Sequence, residues 1–254
     1  MRSVSVQQKE KGFSLMELMV AVMIFTILMG AAFQLLQVSQ QRYKMEAEFL
    51  NSFQTARLAV DQMSRDIHSA GYPPPNSFTV AAGAAKPDRV AMPFAWAPNY
   101  PATPCTVAAG CTTPGDFDLI VETSLDPLNT TTVQWIRYKL VGTTLFRGVA
   151  TKTAGADPVT TTDAVLYSYV ENVMNNTSVA QMNQLQTYYP SMFPGNTPVP
   201  IFSYTYDPPA TLQPPNIREV NITLIVLSPQ RDLKTNQLRA VTLTGLIRTM
   251  LPTQ

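Results

Sequence analysis

Histidine occurs once in these 254 residues and cysteine twice. A Ser-His-Asp or Cys-His arrangement would rest entirely on His68. That residue lies in Arg65-Asp66-Ile67-His68-Ser69, at the end of a helical pattern. A positive group there interacts favourably with the helix dipole, which is the reading taken for it. A glycine-rich phosphate loop and a G-x-S-x-G elbow are both missing. These gaps argue against an enzyme. Charge is scarce as well: 14% of residues are charged and the net charge is +1. With no basic surplus, nothing points to nucleic acid.

Two cysteines exclude most metal chemistry. Cys105 and Cys111 sit in the Pro-rich stretch NYPATPCTVAAGCTTPG with no nearby histidine or further cysteine. They cannot supply the four ligands of a structural zinc site. In an oxidising compartment they are expected to close a small disulfide loop, with free thiols as the alternative. Asp116, Asp118 and Asp126 could offer oxygens to Ca²⁺, but no EF-hand spacing is present, and they read as surface carboxylates. No cofactor is expected.

Proline is missing from the first 72 residues. What is there instead is KEKGFSLMELMVAVMIFTILMGAAFQLL, residues 9–36. From Phe13 to Leu36 the run is almost wholly apolar and long enough to cross a bilayer core of about 30 Å. One charge, Glu17, interrupts it. A carboxylate in such a segment is costly and needs a partner, so it counts as a functional residue. The leader carries three cations, Arg2, Lys9 and Lys11, against Glu10, which leaves the remaining chain at a net −1. By the positive-inside rule the leader stays in the cytoplasm and the rest is exported. Abundant Thr, Asn, Gln and Pro suit such a surface.

K-G-F-S-L-M-E-L-M-V resembles the type III signal of type IV prepilins and pseudopilins. The resemblance covers residues 11–36. It implies cleavage by the prepilin peptidase between Gly12 and Phe13, and N-methylation of Phe13. It makes Glu17 the fifth mature residue, paired with the amine of a neighbouring subunit, or with that of its own chain before assembly, so that the intersubunit pair sets axial register. A helix-capping Glu without that role is the alternative. Pilins often carry a proline partway along this helix. Here Gly30 and Gln34 stand in that region, and Gly30 reads as a close packing point between helices, with a softer hinge as the alternative.

Past Leu36 the pattern turns amphipathic without a break. Met45, Phe49, Phe53, Ala56, Val60, Met63 and Ile67 form one stripe. Gly71 and Pro73-Pro74-Pro75 end the helix. Residues 72–115 read as an irregular connection with one short strand near 89–92. Strands are expected at 117–123, at 131–140 with Ile136, Tyr138 and Leu140 on one face, and at 144–149 after a turn at Val141-Gly142-Thr143. Residues 163–173 read as strand or short helix. Residues 174–216 read as a Pro- and Tyr-rich stretch broken by a strand at 201–206. Two long strands, 219–228 and 240–250, flank a turn at 229–237. A long helix followed by hairpin-linked strands argues α+β, with the helix lying across an antiparallel sheet.

The expected organisation is a leader at 1–12, a transmembrane and filament-core helix at 13–36, an amphipathic helix at 37–71 and a periplasmic β-rich domain at 72–254. The layout resembles the W-type minor pilins and the J-type pseudopilins of type II secretion. That resemblance implies a pilin-like fold, a single-pass inner-membrane precursor, and later incorporation into a pilus or pseudopilus. The implied partners are the prepilin peptidase, other minor and major pilins or pseudopilins, and the inner-membrane assembly platform. The function expected is a minor pilin that helps initiate or assemble the filament. A J-type pseudopilin is the alternative within the family. An adhesin or DNA-uptake subunit acting through Tyr188, Tyr189, Phe193, Tyr204 and Tyr206 is the alternative outside it.

Overall fold

A computed structural model describes residues 12–72, 94–95, 114–126, 132–153, 156–175, 179–193, 195, 197–207, 217–232 and 235–249. The short strand expected near 89–92 and the Cys105–Cys111 pair lie outside the described residues.

The helix α1, Leu15–His68, runs 54 residues. It crosses a division of the chain into two units, Met1–Ala47 and Glu48–Gln254. Over residues 15–36, within the first unit, α1 is apolar on nearly all sides, and its large hydrophobics stand exposed, from Leu15 at 77% to Leu36 at 52%. Among the described residues this is the one helix long and apolar enough to cross a membrane, and none of its apolar window is buried. Gly30 faces open space, since a Cβ added there would meet nothing within 4 Å.

In the second unit α1 becomes one-sided. Ala56, Ala59, Val60, Met63 and Ile67 are buried together with strand residues. Ala56, Val60, Met63 and Ile67 are the C-terminal part of the stripe that the periodicity predicts, whereas Met45, Phe49 and Phe53 are only half-buried. After His68 a turn closes through Ala70 N–H donating to Ile67 O, and the chain leaves through Gly71 at φ 86. Only glycine takes that conformation without strain. Gly71 N–H then donates to Glu122 O at 2.8 Å, which ties the helix end to the first strand.

The strands form two antiparallel sheets where a single sheet is expected from the sequence. The first holds β1 (Asp118–Thr123), β2 (Gln134–Val141), β3 (Thr144–Thr151) and β4 (Tyr167–Val170), in that order. The second holds β5 (Phe202–Tyr206), β6 (Ile217–Arg231) and β7 (Leu238–Arg248). The turn between β2 and β3 falls at Gly142, with φ 60. Both sheets contribute to one core with α1: Ile136, Tyr138 and Leu140 from β2, and Val220, Ile222 and Leu224 from β6. Each fully buried aliphatic side chain contributes about 1.5–3 kcal/mol. At Gly245 an added Cβ would meet Ser64 Oγ and Val60 Cγ1 at 3.4 Å, so β7 runs close beneath the helix.

Two helices modify the sequence reading. The segment 163–173 splits: α2 (Pro158–Asp163) ends in it and β4 follows. Asp157 caps α2 by accepting from Val159 N–H and Thr160 N–H, and Pro158 opens it. The stretch after 174, read as irregular, contains α3 (Val179–Tyr188). Its prolines fall beyond the helix, from Pro190 onward.

Candidate functional site

The candidate site is the entry to α1. Gly12, Phe13 and Ser14 precede the helix and are exposed, Phe13 at 79%. Ser14 is its N-cap. Ser14 O accepts from Leu18 N–H at 3.1 Å, and Ser14 Oγ accepts from Met16 N–H at 3.4 Å. Glu17 reaches back, and its Oε2 accepts from Ser14 N–H at 3.1 Å. Ser14-Leu15-Met16-Glu17 is thus a capping box, in which serine and glutamate satisfy two donors that the helix leaves open. The carboxylate lies one residue from Phe13 N. It also sits at the positive end of the helix dipole, where a negative charge is favoured by about 0.3–1 kcal/mol. A Cβ on Gly12 would meet nothing within 4 Å, so the chain's own packing gives no reason for glycine there.

Residues 7–33 match the family model of the prokaryotic N-terminal methylation motif. The chain carries a type IV prepilin-like signal. The peptide bond Gly12–Phe13 and the capping carboxylate Glu17 both lie within that match. No curated protein and no solved structure matches the chain. The motif supports a protein of the type IV pilin or pseudopilin kind, processed by prepilin peptidase and assembled with other pilins. The apolar helix that follows fits an inner-membrane anchor.

The other sequence candidates are scattered. His68 Nδ1 lies 3.3 Å from Arg248 O, linking the exposed end of α1 to β7. Asp118 is held by Arg137, with Nε to Oδ1 at 2.8 Å and Nη2 to Oδ2 at 2.6 Å. Asp116 O accepts from Ile201 N–H and Phe202 N–H. Asp126 is exposed. No group of three or more His, Cys, Asp or Glu that could hold a metal occurs among the described residues. The loop aromatics divide. Phe193 is buried, Tyr204 donates to Gly115 O at 2.8 Å, Tyr189 donates to Leu238 O, and Tyr188 stands 53% exposed.

Sequence reasoning missed Asp66. It is 2% exposed on the core face of α1. Its Oδ2 accepts from Tyr138 OH at 2.5 Å and from Arg147 Nη2 at 2.9 Å. Burial, and then the Asp66 charge, push the Tyr138 phenol well above its ordinary range. Burial opposes the charge of Arg147, but its partners Tyr138 and Asp66 win and its pKa rises. The group locks α1 to the first sheet. The signal was available: residue 66 continues the spacing of 56, 59, 60, 63 and 67, so a carboxylate there must be buried. Two more ion pairs lie on the opposite face of this sheet, the buried Glu122–Lys152 and Arg137–Asp118, whose carboxylate is partly exposed. Arg137 also reaches Val159 O at 2.9 Å, and Glu122 takes Trp135 Nε1 at 2.8 Å and Lys152 Nζ at 2.6 Å.

Proposed function

We propose that this chain is a minor type IV pilin, a non-enzymatic subunit that helps initiate or assemble a pilus. The observation that carries the reading is the prepilin-like signal leading, without a break, into a helix exposed on every apolar side. Such a surface needs hydrocarbon, first of the inner membrane and then of neighbouring helices in a filament. In this reading Met1–Gly12 is the leader, cut after Gly12, and Phe13 becomes the N-methylated mature terminus. The open glycine serves the peptidase. Residues 13–36 form the membrane and filament-core segment, 37–71 the amphipathic part, and 72–254 the periplasmic domain.

Glu17 acts twice in this account. Before cleavage it caps α1 through Ser14 N–H. Cleavage then places an amine one residue away, and the carboxylate turns to the amine of its own or an adjacent chain. A buried carboxylate without a partner costs too much to survive in a filament core. Glu17→Ala therefore leaves cleavage after Gly12 largely intact and prevents incorporation. Normal incorporation of that variant into sheared filaments would sink the register role. A J-type pseudopilin shares these features, and the neighbouring genes separate the two readings.

A further inference from the structure

From Gly12 to Gln41 the chain holds no lysine, arginine or histidine, and Glu17 is its single charged residue. Two cations then come close together, Arg42 and Lys44, with Tyr43 between them. All three are exposed on α1, Tyr43 at 77%. Among the described residues neither cation has a hydrogen bond or ion pair, and the Tyr43 ring meets no other ring.

The spacing from Glu17 to these cations is that of a bilayer. A carboxylate is least costly at the edge of the hydrocarbon, so Glu17 marks one edge. From Leu18 the helix rises about 30 Å to Val38, which is the thickness of a hydrocarbon core. Val38 is the last apolar residue before Tyr43, and Ser39, Gln40 and Gln41 follow it. With its headgroups a bilayer measures about 40–45 Å, which leaves a layer of about 5–8 Å on each side. Arg42 lies about 6 Å beyond Val38 and falls within that layer. Lys44 lies about 9 Å beyond, and its flexible stem reaches back. Tyrosine between two cations suits this depth, where an amphipathic ring meets both acyl chains and water. The acidic side chains come later: Glu46 is about 12 Å past Val38, outside the headgroups, and Glu48 follows it.

We propose that Arg42 and Lys44 bind the headgroup phosphates of anionic phospholipids at the C-terminal end of the membrane-spanning stretch, with the Tyr43 ring lodged beside them. Phosphate is the anion that a bilayer presents at that depth, and guanidinium and ammonium groups are its ordinary donors. In a zwitterionic lipid the headgroup's own ammonium answers that phosphate, so the anionic lipid is preferred. The inference rests on the membrane-spanning, pilin-type reading. On that reading cleavage after Gly12 removes Arg2, Lys9 and Lys11. Arg42 and Lys44 then become the side-chain cations nearest the bilayer, and they hold the mature helix at its depth.

The test uses the full-length chain in vesicles of equal parts phosphatidylglycerol and phosphatidylethanolamine. Release into mild detergent and native mass spectrometry identify the lipids that stay bound. On the wild-type chain phosphatidylglycerol exceeds phosphatidylethanolamine about tenfold. Arg42→Gln with Lys44→Gln brings the ratio to about one, and Arg42→Lys with Lys44→Arg keeps the excess. Both sites are exposed and glutamine is a good helix former, so these variants keep α1. Arg57→Gln with Arg65→Gln removes the same charge further along α1 and leaves the excess in place. Equal retention of the two lipids by the wild-type chain overturns the proposal. So does an excess that survives Arg42→Gln with Lys44→Gln, or one that Arg57→Gln with Arg65→Gln removes as well. The N-terminus is read in the same spectra. Phe13 termini without the lipid excess defeat this contact and leave the pilin reading standing. Chains that start at Met1, with an excess that depends on Arg42 and Lys44, keep the contact and defeat the pilin reading.

Discussion

One helix holds two kinds of surface. Over residues 15–36 of α1 the apolar side chains point everywhere and stay exposed, Met23 at 67% and Phe25 at 59%. Over residues 56–67 all but Leu58, which is 64% exposed, point one way and are buried, Met63 and Ile67 at 0%. The backbone is the same in both. What differs is the partner each surface requires. A stripe is satisfied by one sheet face, whereas an all-round apolar surface needs an apolar solvent. The first stretch is built for something outside the chain, and the second for the chain itself.

That comparison is broken most severely at Asp66. Asp66→Ala leaves Arg147 and Tyr138 buried without their shared acceptor. Removing one partner of a buried pair costs about 3–5 kcal/mol. Urea unfolding of the full chain in detergent should show a loss of that size for the second unit. Met63→Ala comes next. It opens a cavity where both sheets meet the helix and costs about 2–5 kcal/mol by the same measurement.

A smaller effect comes with alkaline pH. Burial first, and neighbouring acidic groups second, hold the Tyr138 and Tyr204 phenols above their ordinary value of 10.0. The folded state therefore keeps protons that the unfolded chain gives up above that pH. Stability from these groups is complete below pH 10 and falls as pH rises beyond it. A urea midpoint steady at neutral pH and falling above about pH 10 is expected, with a shallower fall in Tyr138→Phe. The smallest effect is Met23→Ala, the counterpart of Met63→Ala in the exposed stretch. It should change stability by less than about 0.5 kcal/mol. A large loss there would erase the contrast between the two stretches.

Much of this was legible in the chain. The buried part of the stripe from Ala56 to Ile67, the stop at Gly71 and the β2–β3 turn at Gly142 follow from period and turn chemistry alone. The candidate site was legible for the same reason: Glu17 stands alone in an apolar run. Three features were hidden, for different reasons. Strand patterns do not say which strands share a sheet, so the division into two sheets was invisible. The β6 strand outruns its expected end at Ser228 because the irregular register between Leu227 and Arg231 accommodates Pro229, which has no N–H to donate. Ser228 Oγ accepts there from Arg239 N–H at 2.9 Å and donates to Gln230 O at 2.7 Å. The helix α3 was masked by the prolines that follow it and by its polar sequence, VAQMNQLQTY. Ser14 and Glu17 also form a capping box whose S-x-x-E spacing was readable, although the apolar run drew the reading toward a partner for Glu17.

The pilin reading proposed for this chain places a processed terminus at the start of the exposed stretch. Mass spectrometry of the N-terminal peptide of the mature protein tests this directly. The account predicts a chain that starts at Phe13 and carries one extra methyl group. A chain starting at Met1, a plain membrane anchor, or one starting near Phe33, a secreted domain, would contradict it.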